Sequence, residues 1–341
     1  MGERPRKRRG RRRRKPSLRQ LTDTALQYSR RVGGHGTEYS YQRAVQRYLR
    51  WAASAGAKVR PATVETLGAY LVYLEQQGLS ESTVRTALSA LRAHYNAEEG
   101  LRNAAQDPRV MRIMRQVVRN VAQPIDRVRP IRAPMLVDLV RRAEAGELGL
   151  ACAADPARWA RDKALLLLGY AGAFRRSEIA GLDWEDVHWL PKGVETAEGL
   201  QGVELYIVRS KRDQFARGAW VGIPVGGQAA TCPVRALWRW QAWVERVAGP
   251  VFVGMLGNTW STSRASTQLV YQVVSRYARA MDWAGCTPHS LRAGWATDML
   301  ALGVASEVVQ THLRHRDRSQ LRVYFRPGRV PDPSLLVRAG L

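Results

Sequence analysis

The chain has 341 residues, 45% of them hydrophobic, and 54 lysines and arginines against 29 acidic residues, a net charge of +25. That length carries two domains with separate cores, and so large a positive surplus suits a polyanionic partner whose condensed counterions are released on binding. No apolar run approaches the roughly 18 residues of a membrane span, no apolar stretch follows the basic N-terminus as in a signal peptide, and Cys152, Cys232 and Cys286 make neither a disulfide framework nor a zinc spacing.

Nucleic acid is therefore the expected partner, and a cytoplasmic protein with reduced thiols the expected setting. Residues 1–20 hold eleven basic residues and one acid. Such a like-charge block does not fold alone. It is expected to be a disordered arm, tracking a DNA backbone or serving as a solubilising tail.

From residue 37 the apolar period becomes helical: Tyr41, Val45, Tyr48 and Ala52 share a face, while Arg43, Arg47 and Arg50 share another. Gly56 ends that helix. A second helix follows Pro61 and ends at Gly78. A third opens on Ser80 and carries Val84, Leu88, Leu91 and Tyr95 as its stripe, with Arg85 and Arg92 on one basic face. A fourth runs from about Pro108 to Ala122. Together they predict an all-α domain over 21–123 with Arg43, Arg47, Arg85 and Arg92 as DNA-binding candidates. "QPIDRVRPIRAP" has three prolines and no period, and predicts a linker over 124–133. Helices are expected again at 134–145 and 156–172. "GVELYIVRSKRD" and "GAWVGIPV" predict an antiparallel hairpin, and helices dominate from 231 onward.

Four stretches carry candidate chemistry: Arg175, Arg176 and Glu178 in "YAGAFRRSEIAGL", Lys211 in the hairpin turn, His289 and Arg292 in "HSLR", and "THLRHRDRSQLRVYFRP" with His312, His315 and Tyr324. Singly, each has a plain structural reading: a surface ion pair, a chance lysine, an incidental helical pair, a packing tyrosine. His312 and His315 lack carboxylate or cysteine ligands at a useful spacing, so no metal is expected.

In combination, order and spacing resemble the tyrosine recombinase (phage integrase) family, and within it Cre-type site-specific recombinases, over about residues 20–330. The matching positions are Arg175 with Glu178, Lys211, His289 with Arg292, His315, and Tyr324 nine residues later. Arg314 departs from the glycine usual before the last histidine. The resemblance implies a mainly α, two-domain DNA clamp, with a helical core-binding (SAM-like) domain and a mixed α/β catalytic domain over 134–326. It also implies a tail over 327–341 able to dock onto a neighbouring protomer, with simple fraying as the alternative.

The implied reaction is site-specific strand cleavage and rejoining through a 3′-phosphotyrosyl link, without metal, cofactor or ATP. It implies a homo-tetramer on two duplexes passing through a Holliday junction, nucleoid-associated through its double-stranded DNA site. Tyr324 would be the nucleophile, which needs help because a phenol near pKa 10 attacks poorly. Arg175 and Arg292 would clamp the charged phosphate oxygens, with Glu178 beside Arg175. His289 would move a proton and His315 would bond the phosphate. Lys211, one of six lysines beside 48 arginines, would protonate the departing oxygen, a step arginine cannot perform at useful pH. A type IB topoisomerase-like relaxing enzyme, and a silent DNA-binding protein of the same fold, are the alternatives.

Overall fold

The computed structural model of the protein describes residues 35–96, 103–122, 128–150, 155–191, 199–208, 218–256 and 259–314. The basic arm, Lys211, His315, Tyr324 and the tail lie outside them. Contacts divide the chain into two units, with the break between Ile125 and Asp126.

The first unit holds α1 (His35–Ser54), α2 (Val64–Gln76), α3 (Glu81–Asn96) and α4 (Pro108–Val121). Local chemistry sets their ends. Gly56 and Gly78 take positive φ after α1 and α2, and Thr63 accepts the Thr66 N–H at the start of α2. Pro61, expected near that start, lies ahead of this cap. Asp107 caps α4 with Pro108 in its first turn. The expected stripe of α3 is the buried one: Val84, Leu88, Leu91 and Tyr95 all reach the core. They pack with Tyr48 of α1 and Tyr70 of α2, whose rings meet edge to face at 5.0 Å.

The second unit is built round α6 (Pro156–Ala171), whose residues from Arg161 to Gly169 are all buried. Before it comes α5 (Ala133–Glu144), and after it the short α7 (Arg176–Ala180). Strands β1 (Val187–Pro191), β2 (Leu200–Ile207) and β3 (Ala219–Pro224) form one antiparallel sheet in the order β1-β2-β3. Val203, Leu205 and Ile207 of β2 and Val221 and Ile223 of β3 enter the core, the period-2 alternation of a half-buried sheet. The hairpin was expected; β1 was not. Helix α8 (Pro233–Val244) packs on α6.

Next come β4 (Val253–Leu256) and β5 (Thr259–Arg264), a second antiparallel pair within a region expected to be helical. With four residues β4 is too short to show a period, and β5 buries no alternate residues. Helices α9 (Thr267–Ala280), α10 (Pro288–Ala301) and α11 (Ser306–His312) complete the unit. Buried Asp162 joins α6 to α9 by accepting from Arg161, from Arg276 at 3.1 Å and from Tyr277 at 3.2 Å. A buried carboxylate needs such donors to offset its lost hydration.

Residues 128–133, read from sequence as the end of a linker, belong to this unit. Ile131 is buried, its N–H donates to the Ser290 carbonyl at 2.9 Å, and a Cβ at Gly294 would collide with the Ile131 carbonyl. The close approach explains why α10 carries glycine there. No helix among the described residues is long and apolar enough to cross a membrane.

Candidate active site

Three chain segments of the second unit meet at the loop after α6. There Gly172, Ala173 and Phe174 turn the chain from α6 into α7, with Ala173 in the left-handed region at φ 45°. Non-glycine residues rarely hold that conformation without surrounding restraint. The restraint is visible. Arg292, 1% exposed on the second turn of α10, donates to the Ala173 carbonyl at 2.5 Å and to the Leu313 carbonyl just beyond α11. Arg314 donates to the same Ala173 carbonyl at 3.1 Å. One peptide oxygen thus ties α10, the end of α11 and the loop leading to Arg175.

Arg175 stands at the N-cap of α7. Glu178, three residues on, accepts the Arg175 backbone N–H at 2.8 Å and its guanidinium at 2.5 Å. The carboxylate that closes the first turn therefore also sets the arginine side chain. It is fully buried, whereas the Arg175 side chain keeps 18% of its surface open. Burial alone would raise the Glu178 pKa; the charges of Arg314 and then Arg175, with the hydrogen bonds from the Arg175 backbone and side chain, overcome this and hold it below the ordinary carboxylate value. Three guanidinium groups against one carboxylate leave two net positive charges at the loop. Such a cluster is suited to an anionic oxygen.

His289 lies on the first turn of α10, after a cap in which Thr287 N–H donates to Ser290 at 2.9 Å. Its pKa is lowered by partial burial, then by the charges of Arg292 and Arg175, so the ring is neutral near pH 7. The direction of α10 is held at its far end, where buried Asp298 accepts from the Ala133 N–H at 2.8 Å, from Tyr170 at 2.5 Å and from Arg132.

The described residues thus bring Arg175, Glu178, His289 and Arg292 together. His315 and Tyr324 follow Arg314 in the sequence, and Lys211 falls between Val208 and Gly218; all three are outside the described residues. His312 is a packing residue: it stacks on Trp295 at 4.0 Å and bonds the Ala171 carbonyl at 2.9 Å. Sequence reasoning missed Asp298, which carries no motif. It noticed Arg314 only as a departure at a glycine position, and that was the available signal. Among the described residues no three His, Cys, Asp or Glu cluster to hold a metal.

In the first unit the basic candidates differ. Arg43 is exposed and Arg47 half-buried, while Arg85 reaches solvent paired with Glu81 at 2.6 Å. Arg92 is half-buried, donating to the Ala105 carbonyl at 2.9 Å and contacting Met111. Its guanidinium is engaged in holding α3 to the segment before α4.

Residues 141–328 match the Phage integrase family, and residues 26–98 match the Phage integrase N-terminal SAM-like domain. The chain is 29% identical to an integrase/recombinase XerD homolog of Selenomonas ruminantium, over 84% of this chain and 80% of that one. It is 26% identical to tyrosine recombinase XerD of Neisseria meningitidis serogroup B, over 83% and 84% respectively. In fold it resembles XerH recombinase bound to a palindromic difH substrate, with TM-score 0.58 and 16% identity over 87% of this chain and 76% of that one. It likewise resembles a lambda integrase dimer bound to a COC′ core site, with TM-score 0.57 and 16% identity over 92% and 79%.

Proposed function

The chain belongs to the phage integrase family and is a tyrosine recombinase; from that premise we propose a site-specific DNA strand exchange with the following division of labour. The Tyr324 hydroxyl attacks the scissile phosphorus, and a tyrosyl O–P bond forms as the bond to the 5′ oxygen breaks. The tyrosine proton leaves by way of neutral His289, and Lys211 supplies the proton that the 5′ oxygen takes up. Arg175, whose side chain is partly open, holds one non-bridging oxygen; Arg292, buried and bonded to the Ala173 and Leu313 carbonyls, would turn from one of those carbonyls to hold the other, and His315 donates a further hydrogen bond. The 5′ hydroxyl of a partner strand then attacks the phosphotyrosine, which restores the backbone and returns the tyrosine. Conservation of the phosphodiester makes ATP unnecessary. A homo-tetramer on two duplexes, working through a Holliday junction, carries both exchanges, and the protein acts on the cytoplasmic nucleoid. In the first unit, Arg43, Arg47 and Arg85 meet DNA phosphates; Arg92 would need to leave its internal bonds to do so.

The observation that supports this reading most directly is the meeting of Arg175 and Arg292 at one loop, beside a neutral imidazole and immediately before the segment that leads to Tyr324. The test incubates the protein with a library of nicked duplexes, whose short cut strand diffuses away and traps the covalent product. SDS-resistant protein–DNA adducts are expected from the unsubstituted chain and none from Tyr324→Phe, with DNA affinity unchanged to within about twofold because only a hydroxyl is lost. An adduct that persists in Tyr324→Phe overturns the assignment. Site-independent plasmid relaxation without strand exchange replaces recombination by a relaxing activity.

A further inference from the structure

Arg314 occupies the position after α11 at which a helix turns left-handed, and its φ is 53°. Glycine fits that conformation without penalty and arginine does not. Its N–H still closes the helix on the Thr311 carbonyl at 2.9 Å. The side chain does not run into solvent: 10% of it is exposed. Its guanidinium lies 5.3 Å over the Phe174 ring. It donates to the carbonyls of His312 at 2.8 Å, Gly172 at 3.2 Å and Ala173 at 3.1 Å, and to Glu178 Oε2 at 2.8 Å. That oxygen is the one that also takes the Arg175 backbone N–H, while Oε1 takes the Arg175 guanidinium.

We propose that Arg314 is a positioning residue for strand cleavage: through Glu178 it fixes the Arg175 guanidinium, and it offsets the carboxylate charge that would otherwise cancel that of Arg175. This rests on the cleavage reaction proposed above. The geometry supplies the reason. A carboxylate held by one arginine can pivot with it, whereas one gripped from both sides cannot. A buried Glu178 facing Arg175 alone would leave that guanidinium neutralised before any phosphate arrived. The opposing possibility is that Arg314 is merely a cation at the C-terminal end of α6, satisfying the carbonyls of Gly172 and Ala173. The two roles separate at Glu178, because only the first passes through it.

The experiment compares the unsubstituted chain, R314G, E178Q and the double variant. It measures adduct formation within pre-bound complexes on a duplex selected by the adduct screen, DNA affinity separately, and folding by circular dichroism. Glycine suits the backbone at 314, so R314G is expected to fold. It should cleave at least about tenfold more slowly with affinity within about twofold, the pattern of an interaction made in the transition state. In the E178Q background the same change should cost less than about threefold, the non-additivity of residues acting in series. If E178Q does not fold, Arg175→Lys, which keeps the charge but loses the fork, serves as the background with the same expectation. An R314G that cleaves at the normal rate overturns the proposal. So does an equal loss in both backgrounds, which would assign Arg314 to α6 or directly to the phosphate. Absence of any adduct from the unsubstituted chain overturns the cleavage reading, and this inference with it.

Discussion

His289 shows how the side chains around a residue decide its chemistry. On the first turn of α10 its ring meets partial burial and then the charges of Arg292 and Arg175, all of which favour the neutral form. A histidine whose folded pKa is depressed takes up a proton less readily than the unfolded chain. Its contribution to stability is therefore fully present above the unfolded value of about 6.5 and is lost as pH falls through that value toward the folded one. His312, also lowered, first by burial, adds in the same direction. We expect the His289 ring to titrate below the ordinary imidazole range in an NMR titration. The midpoint should move upward in Arg175→Ala, which deletes one of the opposing charges. A midpoint unmoved by that substitution would separate Arg175 from the imidazole.

At the scale of elements, α10 carries two of the candidate side chains, and its placement depends on contacts remote from them. Asp298 anchors its far end to α5 and Tyr170, while Gly294 lets the 128–132 segment lie directly against its middle. Gly294→Ala would push a methyl group into the Ile131 carbonyl, a backbone atom that cannot swing aside. Overpacking of this kind costs about 1–3 kcal/mol, read as a lower urea midpoint at unchanged slope. Gly222→Ala in β3 is the control, since a Cβ there meets nothing within 4 Å. It should leave the midpoint in place, and equal shifts in both variants would remove the steric account.

For the whole molecule, the dominant property is charge. Eleven of the basic residues sit in the first 20 positions, where none of the candidate site residues lies. If that arm lies on DNA, each phosphate contact adds about 0.9 to the slope of log affinity against log salt. A chain starting near Leu21 should therefore bind with a shallower slope on cognate and scrambled duplexes alike. Its cleavage rate in the bound complex should be unchanged. Fluorescence anisotropy at several salt concentrations measures the slopes. An unaltered slope makes the arm a passive tail, and a loss confined to the cognate duplex makes it a reader of sequence.

Much of this was legible along the chain because it is local. The stripe Val84, Leu88, Leu91 and Tyr95 needs only a helical period to find the core, Gly56 and Gly78 end helices by their own backbone freedom, and "HSLR" puts His289 and Arg292 on one helical face wherever that helix goes. What the sequence could not display is whatever depends on partners far away. Strands β1 and β4 are too short for a period and exist because a neighbouring strand pairs with them. Arg92 reads as half of a basic surface face until the Ala105 carbonyl claims it. Arg314 and Glu178 are separated by 136 positions, and nothing in either segment announces the other. The chain alone determined the helical pattern, the positive charge and the residue types of the site. Only tertiary structure decided which guanidinium meets which oxygen, because a hydrogen bond requires atoms within about 3 Å, and sequence separation does not measure that distance.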